Sequence, residues 1–186
     1  MAQTLKPYYP TILHLLGEPS GNLVEIGSGD ADFLIYASQE SVFEVYGCDI
    51  HEHAGLDNCR ANRVEAKLLE AGVSQERYNW MNVNDPLPFG SDFASTIVSV
   101  QTLEHVEDIE HLFAEVYRVL KPGGRAVHYF PSLEILIEPH SKIPFAHRCS
   151  KNRSRIISIF SRLGIGKFSQ YSRDHKYSLR KFTQKF

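Results

Sequence analysis

An α/β fold built on a mostly parallel sheet, with helices on both faces, is what this sequence predicts, and three observations carry the prediction. A short apolar run, residues 23–26, ends at Gly27-Ser28-Gly29 and gives way to helix-start residues. A second run, rich in β-branched and aromatic residues, ends at Asp49, 20 residues beyond Gly29. Strand-like and helix-like stretches then alternate as far as Phe130, the order that a parallel sheet with crossover helices requires.

Taken in order, residues 8–17 form a leading helix ended by Gly17. Residues 23–26 are too short for a helix and are bounded by turn residues, so they read as a buried parallel strand. Gly27 and Gly29 let the backbone turn tightly and approach a ligand with no Cβ in the way. Asp30 or Asp32 caps the next helix, which runs through residues 33–37. Residues 41–49 make the second strand. A helix over 54–71 turns Leu56, Cys59, Val64, Leu68 and Ala71 inward and stops at Gly72, leaving Glu65, Lys67 and Glu70 solvated. Residues 78–81 are a third strand, 82–89 a proline-broken loop and 94–100 a fourth strand. Asp108 caps a helix that runs to Leu120 on a stripe of Ile109, Leu112, Phe113, Val116 and Leu120. Lys121-Pro122-Gly123-Gly124 ends that helix, and 125–130 is a fifth strand.

A chain of 186 residues is long enough for one sizeable core. Cys48, Cys59 and Cys149 have neither metal-ligand spacing nor a disulfide framework, and read as reduced thiols of a cytoplasmic protein with no metal site. No stretch has the length of a membrane span, and the N-terminus has no signal-peptide core. Charge is divided unevenly. Residues 1–140 carry eight Lys/Arg against 21 Asp/Glu, a balance of −13, whereas 141–186 carry 12 Lys/Arg and only Asp174, a balance of +11. Such a tail either meets an anionic partner or docks on the acidic body.

The glycine loop selects its ligand by what it lacks. A dinucleotide fingerprint has a third glycine three residues after the second, where this chain has Asp32, and no phosphate-cradling Lys-Ser/Thr pair follows. Glu25, Asp30 and Asp32 would repel a pyrophosphate. An acid-rich loop suits a ligand with a cationic end, an ammonium or a sulfonium, which points to S-adenosylmethionine. Asp49, at the end of the second strand, can accept from both ribose hydroxyls.

From Leu23 to Phe130 the chain resembles the class I S-adenosylmethionine-dependent methyltransferases, specifically the type 11 small-molecule family. The resemblance rests on the loop at 25–31, then Leu87-Pro88-Phe89, Leu103-Glu104-His105-Val106 and residues 118–125, in that order and spacing. It implies the Rossmann-like methyltransferase fold, with S-adenosylmethionine as cofactor. Residue by residue, it places Gly27, Ser28 and Gly29 along the methionine part and Glu25 near its ammonium. Asp49 falls on the ribose, Ile50 beside the adenine and Gln101 opposite the methyl donor, with Val83 also among the cofactor-binding residues. The chain departs from the pattern twice: Ala31 stands at the third glycine, and Asn82, with Asn84 as the alternative register, stands where an aspartate usually accepts from the adenine amine. Asparagine can still accept through its side-chain oxygen.

A sulfonium is already a strong methyl donor, so such an enzyme mainly aligns the reactants and excludes water. An oxygen acceptor gains from a base, for which His105, His140 and His147 are the candidates, while His128 lies inside a strand and reads as structural. Residues 138–148 resemble a segment that covers the acceptor site in a subset of the family. Residues 150–164 follow as an amphipathic helix with Ile156, Ile157, Phe160 and Leu163 on one face and Arg153, Arg155 and Arg162 on the other, a pattern that suits a lid or an anionic lipid surface. Only five of the family's usual seven strands are readable, so the sheet is expected to lack its C-terminal strands, as in a truncated chain. The expected organisation is a cofactor-binding domain over 1–131 and a basic acceptor-site cover over 132–186. The expected function is methyl transfer to a small-molecule, lipid-linked or glycan-linked acceptor in the cytoplasm or at the inner membrane surface. The alternatives are a non-catalytic cofactor-binding relative and an RNA methyltransferase, though the tail carries no recognisable RNA module and a nucleic-acid partner is not expected.

Overall fold

The fold, a computed structural model, describes residues 6–17, 20–51 and 59–130. Five strands, β1 (Asn22–Ile26), β2 (Glu44–Ile50), β3 (Tyr78–Met81), β4 (Ala94–Val100) and β5 (Leu120–Tyr129), form one sheet in the order β3-β2-β1-β4-β5. Every neighbouring pair is parallel. Four helices accompany them: α1 (Tyr9–Leu15), α2 (Asp32–Glu40), α3 (Cys59–Glu70) and α4 (Ile109–Val119). The strand order reverses between β1 and β4, which opens a crevice beyond the carboxyl ends of those two strands.

The two-residue period of the strands sorts the core into two layers. Leu23, Val45 and Val98 pack with α1, α2 and α3 through Ile12, Phe33, Leu34, Val64 and Leu68. Val24, Ile26, Cys48 and Ile97 pack on the opposite face with Leu87, Phe89, Val116 and Val119. On the first face Tyr9 and Phe33 meet edge to face at 5.2 Å, joining α1 to α2. Gly17, at φ +82°, turns the chain out of α1.

The expected third and fourth strands coincide with β3 and β4, and Asp108 caps α4 by accepting from the His111 N–H at 2.9 Å. Other details differ. Neither Asp30 nor Asp32 caps α2: the capping position is Ala31, in the left-handed conformation and with no side-chain hydrogen bond, because both carboxylates are drawn away to basic residues of α3. Lys67 is accordingly an ion-pair partner of Asp32 and donates to the Asp30 carbonyl at 2.7 Å, rather than projecting freely into solvent. Cys59 is exposed, so the inward face of α3 consists of Val64 and Leu68. Helix α2 persists to Glu40, which delays β2 until Glu44 and leaves Val42 on the surface.

In α4 the buried pair is Val116 and Val119, with Ile109 and Phe113 largely exposed. The helix stops at Val119, and β5 begins at once with Leu120 opposite Ala94, the 121–124 turn being absorbed as a break in strand register before Arg125 pairs with Thr96. His128 is structural in character: its Nδ1 lies 2.8 Å from the Ser99 hydroxyl, and burial lowers its pKa. β3 and β5 are the two outer strands of the sheet among the described residues. The expectations for residues 131–186, including missing strands, the cover segment and the basic helix, lie outside the described residues, as do Leu56 and Cys149. No described helix is long and apolar enough to cross a membrane.

Candidate functional site

The glycine loop is bound to the end of β2 by a set of short hydrogen bonds. Gly27 and Ser28 donate their backbone N–H groups to the Cys48 carbonyl at 2.9 and 3.1 Å. The Ser28 hydroxyl donates to the Glu25 carbonyl at 2.8 Å. Gly29 donates to one oxygen of Asp49 at 2.9 Å, and Ile50 donates to the other at 2.8 Å. Tyr78 completes the frame by donating its hydroxyl to the Gly29 carbonyl at 3.1 Å. The 20-residue spacing read in the sequence is thus a direct contact between the loop and the strand-end acid.

Gly27, Gly29 and Ala31 all have positive φ, at +68°, +57° and +58°. The first two meet the need for left-handed backbone at little cost; Ala31 does so against a penalty of about 1–2 kcal/mol, which accounts for the preference for glycine at this place. At Gly27 the space for a Cβ belongs to Thr102, whose Oγ1 would stand 2.5 Å away and whose methyl would be nearer still. Gly27 therefore reaches the cavity through its backbone, and the reason for its missing side chain is Thr102. A Cβ at Gly29 would meet the Arg60 guanidinium at 3.1 Å.

Four carboxylates surround this loop, and each is handled differently. Asp49 is buried and accepts the two backbone N–H groups, with the Arg60 guanidinium 3.6 Å away. Asp30 pairs with Arg60 at 3.1 Å and Arg63 at 3.0 Å. Burial alone would raise its pKa, but the two arginines hold it below the usual carboxylate range. Asp32 pairs with Lys67. Glu25 is 3% exposed, and its Oε2 is buried with no hydrogen-bond partner among the described residues. Burial, reinforced by Asp49 and opposed by the Leu34 backbone amide, pushes its pKa well above the usual range. Burial likewise raises the Cys48 thiol to about 12, so it is an inert packing group.

Two cavities meet at Gly27, Asp49, Thr102 and His105. One, of about 300 Å³, runs past Ile50, Met81, Asn82 and Val83 toward Leu87 and His111. The other, of about 370 Å³, runs past Glu25, Ser28 and Gly29 to Gln101, Tyr8 and Lys6. The structure thereby brings together Glu25, Gly27, Ser28, Gly29, Asp49, Ile50, Asn82, Val83, Gln101 and His105. His140 and His147 lie outside the described residues. Ser28 contributes backbone, since its hydroxyl is turned to Glu25. Gln101 follows β4 at φ +55° and is fixed by donating its N–H to the Tyr129 carbonyl at 2.7 Å. Of the two register alternatives, Asn84 takes the left-handed place of the turn at φ +63°, while Asn82 is tied to Asp85 by backbone and side chain.

Sequence reasoning missed Thr102, Asp85, Arg60 and His111. The last of these lines the first cavity with a buried Nε2 that has no partner among the described residues. Thr102 reaches Ile26 and Gly27 across 76 and 75 residues and Arg60 reaches Asp49 from another element, contacts that spacing along the chain does not show, whereas Asp85 acts within its own turn, three residues from Asn82.

A family model described as a methyltransferase domain matches residues 1–168. The ubiquinone/menaquinone biosynthesis C-methyltransferase UbiE of Desulfotalea psychrophila is 31% identical over 115 residues, covering 60% of this chain and 42% of that protein. A 24-methylenesterol C-methyltransferase of rice, Oryza sativa subsp. japonica, is 26% identical over 115 residues, or 62% of this chain and 30% of that one. The chain therefore spans less than half the length of the curated relatives it matches. Among solved structures, geranyl diphosphate C-methyltransferase from Streptomyces coelicolor A3(2), in complex with Mg2+, geranyl diphosphate and S-adenosyl-L-homocysteine, superposes with a TM-score of 0.52. It is 26% identical, and the match covers 64% of this chain and 43% of that one. An S-adenosylmethionine-dependent methyltransferase from Mesorhizobium loti shares the fold with a TM-score of 0.56 at 23% identity, over 72% of this chain and 57% of its own.

Proposed function

Because the chain belongs to the methyltransferase domain family, we propose that it binds S-adenosylmethionine across the two joined cavities and transfers the methyl group to a small-molecule acceptor. The observation that supports this reading is the glycine loop hydrogen-bonded to the Asp49 carboxylate where the two cavities meet, with Glu25, whose Oε2 is buried and has no partner among the described residues, in the wall of the second. Burying a carboxylate oxygen without a partner is costly. A cationic ammonium brought to it would remove that cost, so the residues fit a ligand that is cationic at one end and a nucleoside at the other.

When bound, the cofactor supplies a methyl group on a positively charged sulfur. This chain's residues do the rest. Asp49 would accept from the ribose hydroxyls, Glu25 would face the ammonium, Ile50 and Val83 would flank the adenine, and Asn82 would accept from its amine. Gln101 and His105, at the carboxyl end of β4, would face the acceptor. His105 stands where the two cavities join, so it is the candidate base for an acceptor that must lose a proton.

The relatives' names, which speak of quinone biosynthesis, a sterol and geranyl diphosphate, support a small-molecule acceptor. A lipid-linked acceptor at an anionic membrane surface is the finer form of the proposal, motivated by the +11 balance of residues 141–186. Calorimetry with S-adenosylhomocysteine, followed by transfer of labelled methyl to a panel of quinone, sterol and prenyl acceptors, tests the reading. Absence of S-adenosylhomocysteine binding removes it, and binding without transfer to any acceptor moves the chain to the non-catalytic alternative. Co-sedimentation with vesicles of rising anionic lipid content tests the finer form. Each basic residue near such a surface contributes about 1 kcal/mol, so Arg153, Arg155 and Arg162 changed together to Glu should release the chain. Indifference to anionic vesicles at low salt leaves a soluble acceptor.

A further inference from the structure

Asn82 presents a problem that the usual aspartate does not. A carboxylate can only accept, so it selects an amine over an oxo group at the purine 6-position. A carboxamide has an accepting end and a donating end, and by turning over it serves either ligand equally well. In this chain the turn over residues 82–85 removes that freedom. The Asp85 N–H donates to the Asn82 carbonyl at 3.2 Å, and the Asp85 carboxylate answers by accepting the Asn82 backbone N–H at 3.1 Å. The same carboxylate oxygen also accepts from the side-chain Nδ2 of Asn82 at 2.8 Å. Asn84, in the left-handed conformation at φ +63°, closes the turn between them. Because a carboxylate has no proton to offer, only the amino end of Asn82 can face it, which settles the amide orientation on chemical grounds. The carbonyl end is then the one left to accept, and Asn82 and Asp85 both line the cavity assigned to the nucleoside.

We propose that Asp85 is a positioning residue that locks the Asn82 amide with its oxygen available to the ligand, so that the pair reads the 6-amino group of adenine as an aspartate would. The proposal rests on the cofactor reading above and adds to it the source of base specificity. Neither residue is informative alone: Asn82 without Asp85 is indiscriminate, and Asp85 spends one carboxylate oxygen on its neighbour.

The test compares S-adenosylhomocysteine with its 6-oxo analogue, S-inosylhomocysteine, by calorimetry on the full chain. The unmodified protein should prefer the amino ligand by roughly tenfold, the worth of one net hydrogen bond. In Asp85→Ala the Asn82 amide is free to turn and donate to the 6-oxo group. The preference should then fall to within about twofold, partly through a gain in affinity for S-inosylhomocysteine. A merely structural loss at this turn would weaken both ligands and raise neither. Asn82→Asp placed in the Asp85→Ala background restores an acceptor that needs no orienting, and should restore the preference. Asp85→Leu, which keeps the shape of the side chain and removes both acceptor oxygens, carries the same comparison if the alanine variant does not fold.

Retention of the full preference in Asp85→Ala overturns the proposal, as does failure of Asn82→Asp to restore it. Equal binding of both ligands to the unmodified protein also overturns it, while leaving the cofactor reading in place. Binding of neither ligand to the unmodified protein removes both.

Discussion

Replacing Gly27 by alanine should destabilise the protein through two separable causes. Residue 27 has φ +68°, and holding an L-residue there costs about 1–2 kcal/mol. The added methyl would also stand 2.5 Å from Thr102 Oγ1, 3.0 Å from its Cβ, and closest of all to its methyl carbon, an overpacking that costs about 1–3 kcal/mol. The sum is about 2–5 kcal/mol, a large part of the stability of an ordinary domain. Thr102→Ala removes the two nearer atoms and leaves only the 3.0 Å neighbour. It also gives up the Thr102 hydroxyl's bond to the Ile26 carbonyl at 3.2 Å, worth about 1 kcal/mol. In that background Gly27→Ala should therefore cost only the conformational part, so the double-mutant cycle should report a coupling of about 1–3 kcal/mol. Urea unfolding monitored by circular dichroism gives all four free energies. An equal cost of Gly27→Ala in the two backgrounds would refute Thr102 as the obstacle and return the glycine's role to its left-handed backbone and to ligand approach.

The remaining expectations concern the carboxylates. Asp49→Ala should weaken S-adenosylhomocysteine by about 1.5–3 kcal/mol, the worth of hydrogen bonds to a charged group; calorimetry showing unchanged affinity would take Asp49 out of the site. Glu25, whose folded-state pKa is raised by burial, adds stability that is fully present below its unfolded value of about 4.5 and is lost as pH rises through the folded value. Glu25→Gln should flatten that decline in urea midpoints, and a variant that tracks the unmodified protein at every pH would count against a protonated Glu25. By the same linkage, a cationic ligand that ionises Glu25 should release up to about one proton on binding. Calorimetry in buffers of different ionisation enthalpy should detect that release in the unmodified protein and not in Glu25→Gln.

Much of the fold was legible because its signals are local. The strands at 78–81 and 94–100 are bounded by turn residues and filled with apolar or β-branched side chains, and the structure keeps those bounds. Gly29 and Asp49 were paired by a spacing that the βαβ unit itself dictates, and they meet at 2.9 Å. What escaped was whatever depends on a partner distant in sequence. Asp30 and Asp32 have the right chemistry to cap a helix, but Arg60, Arg63 and Lys67 offer a whole opposite charge where the cap offers a single N–H, so the helix starts on an uncapped Ala31. The stripe of α4 misled for another reason. Apolar character at Ile109 and Phe113 satisfies the helical period, yet only Val116 and Val119 of this helix are fully buried. Periodicity says which residues share a face, and the height of a helix above the sheet decides how much of that face is covered.

The acids around the loop show why sequence alone could count charges and still not assign them. Four carboxylates near one ligand site would, if all were ionised and unpaired, repel one another strongly in a partly buried setting. The fold distributes that burden. Asp30 and Asp32 are compensated by basic side chains of α3, and Asp49 by the amides of Gly29 and Ile50. Those three are spent on holding α3, α2 and the loop together, with Asp49 keeping its carboxylate at the cavity wall. In this group Glu25 alone has a buried oxygen with no hydrogen-bond partner among the described residues, and burial disfavours its charged form. It is therefore the acid whose state a ligand can change. A cation arriving in the second cavity would supply the partner that Oε2 lacks and draw the proton off. A neutral ligand of the same shape would supply neither. On the proposed reading, a preference for a cationic ligand would come from that one oxygen, while the other three acids build the frame around it.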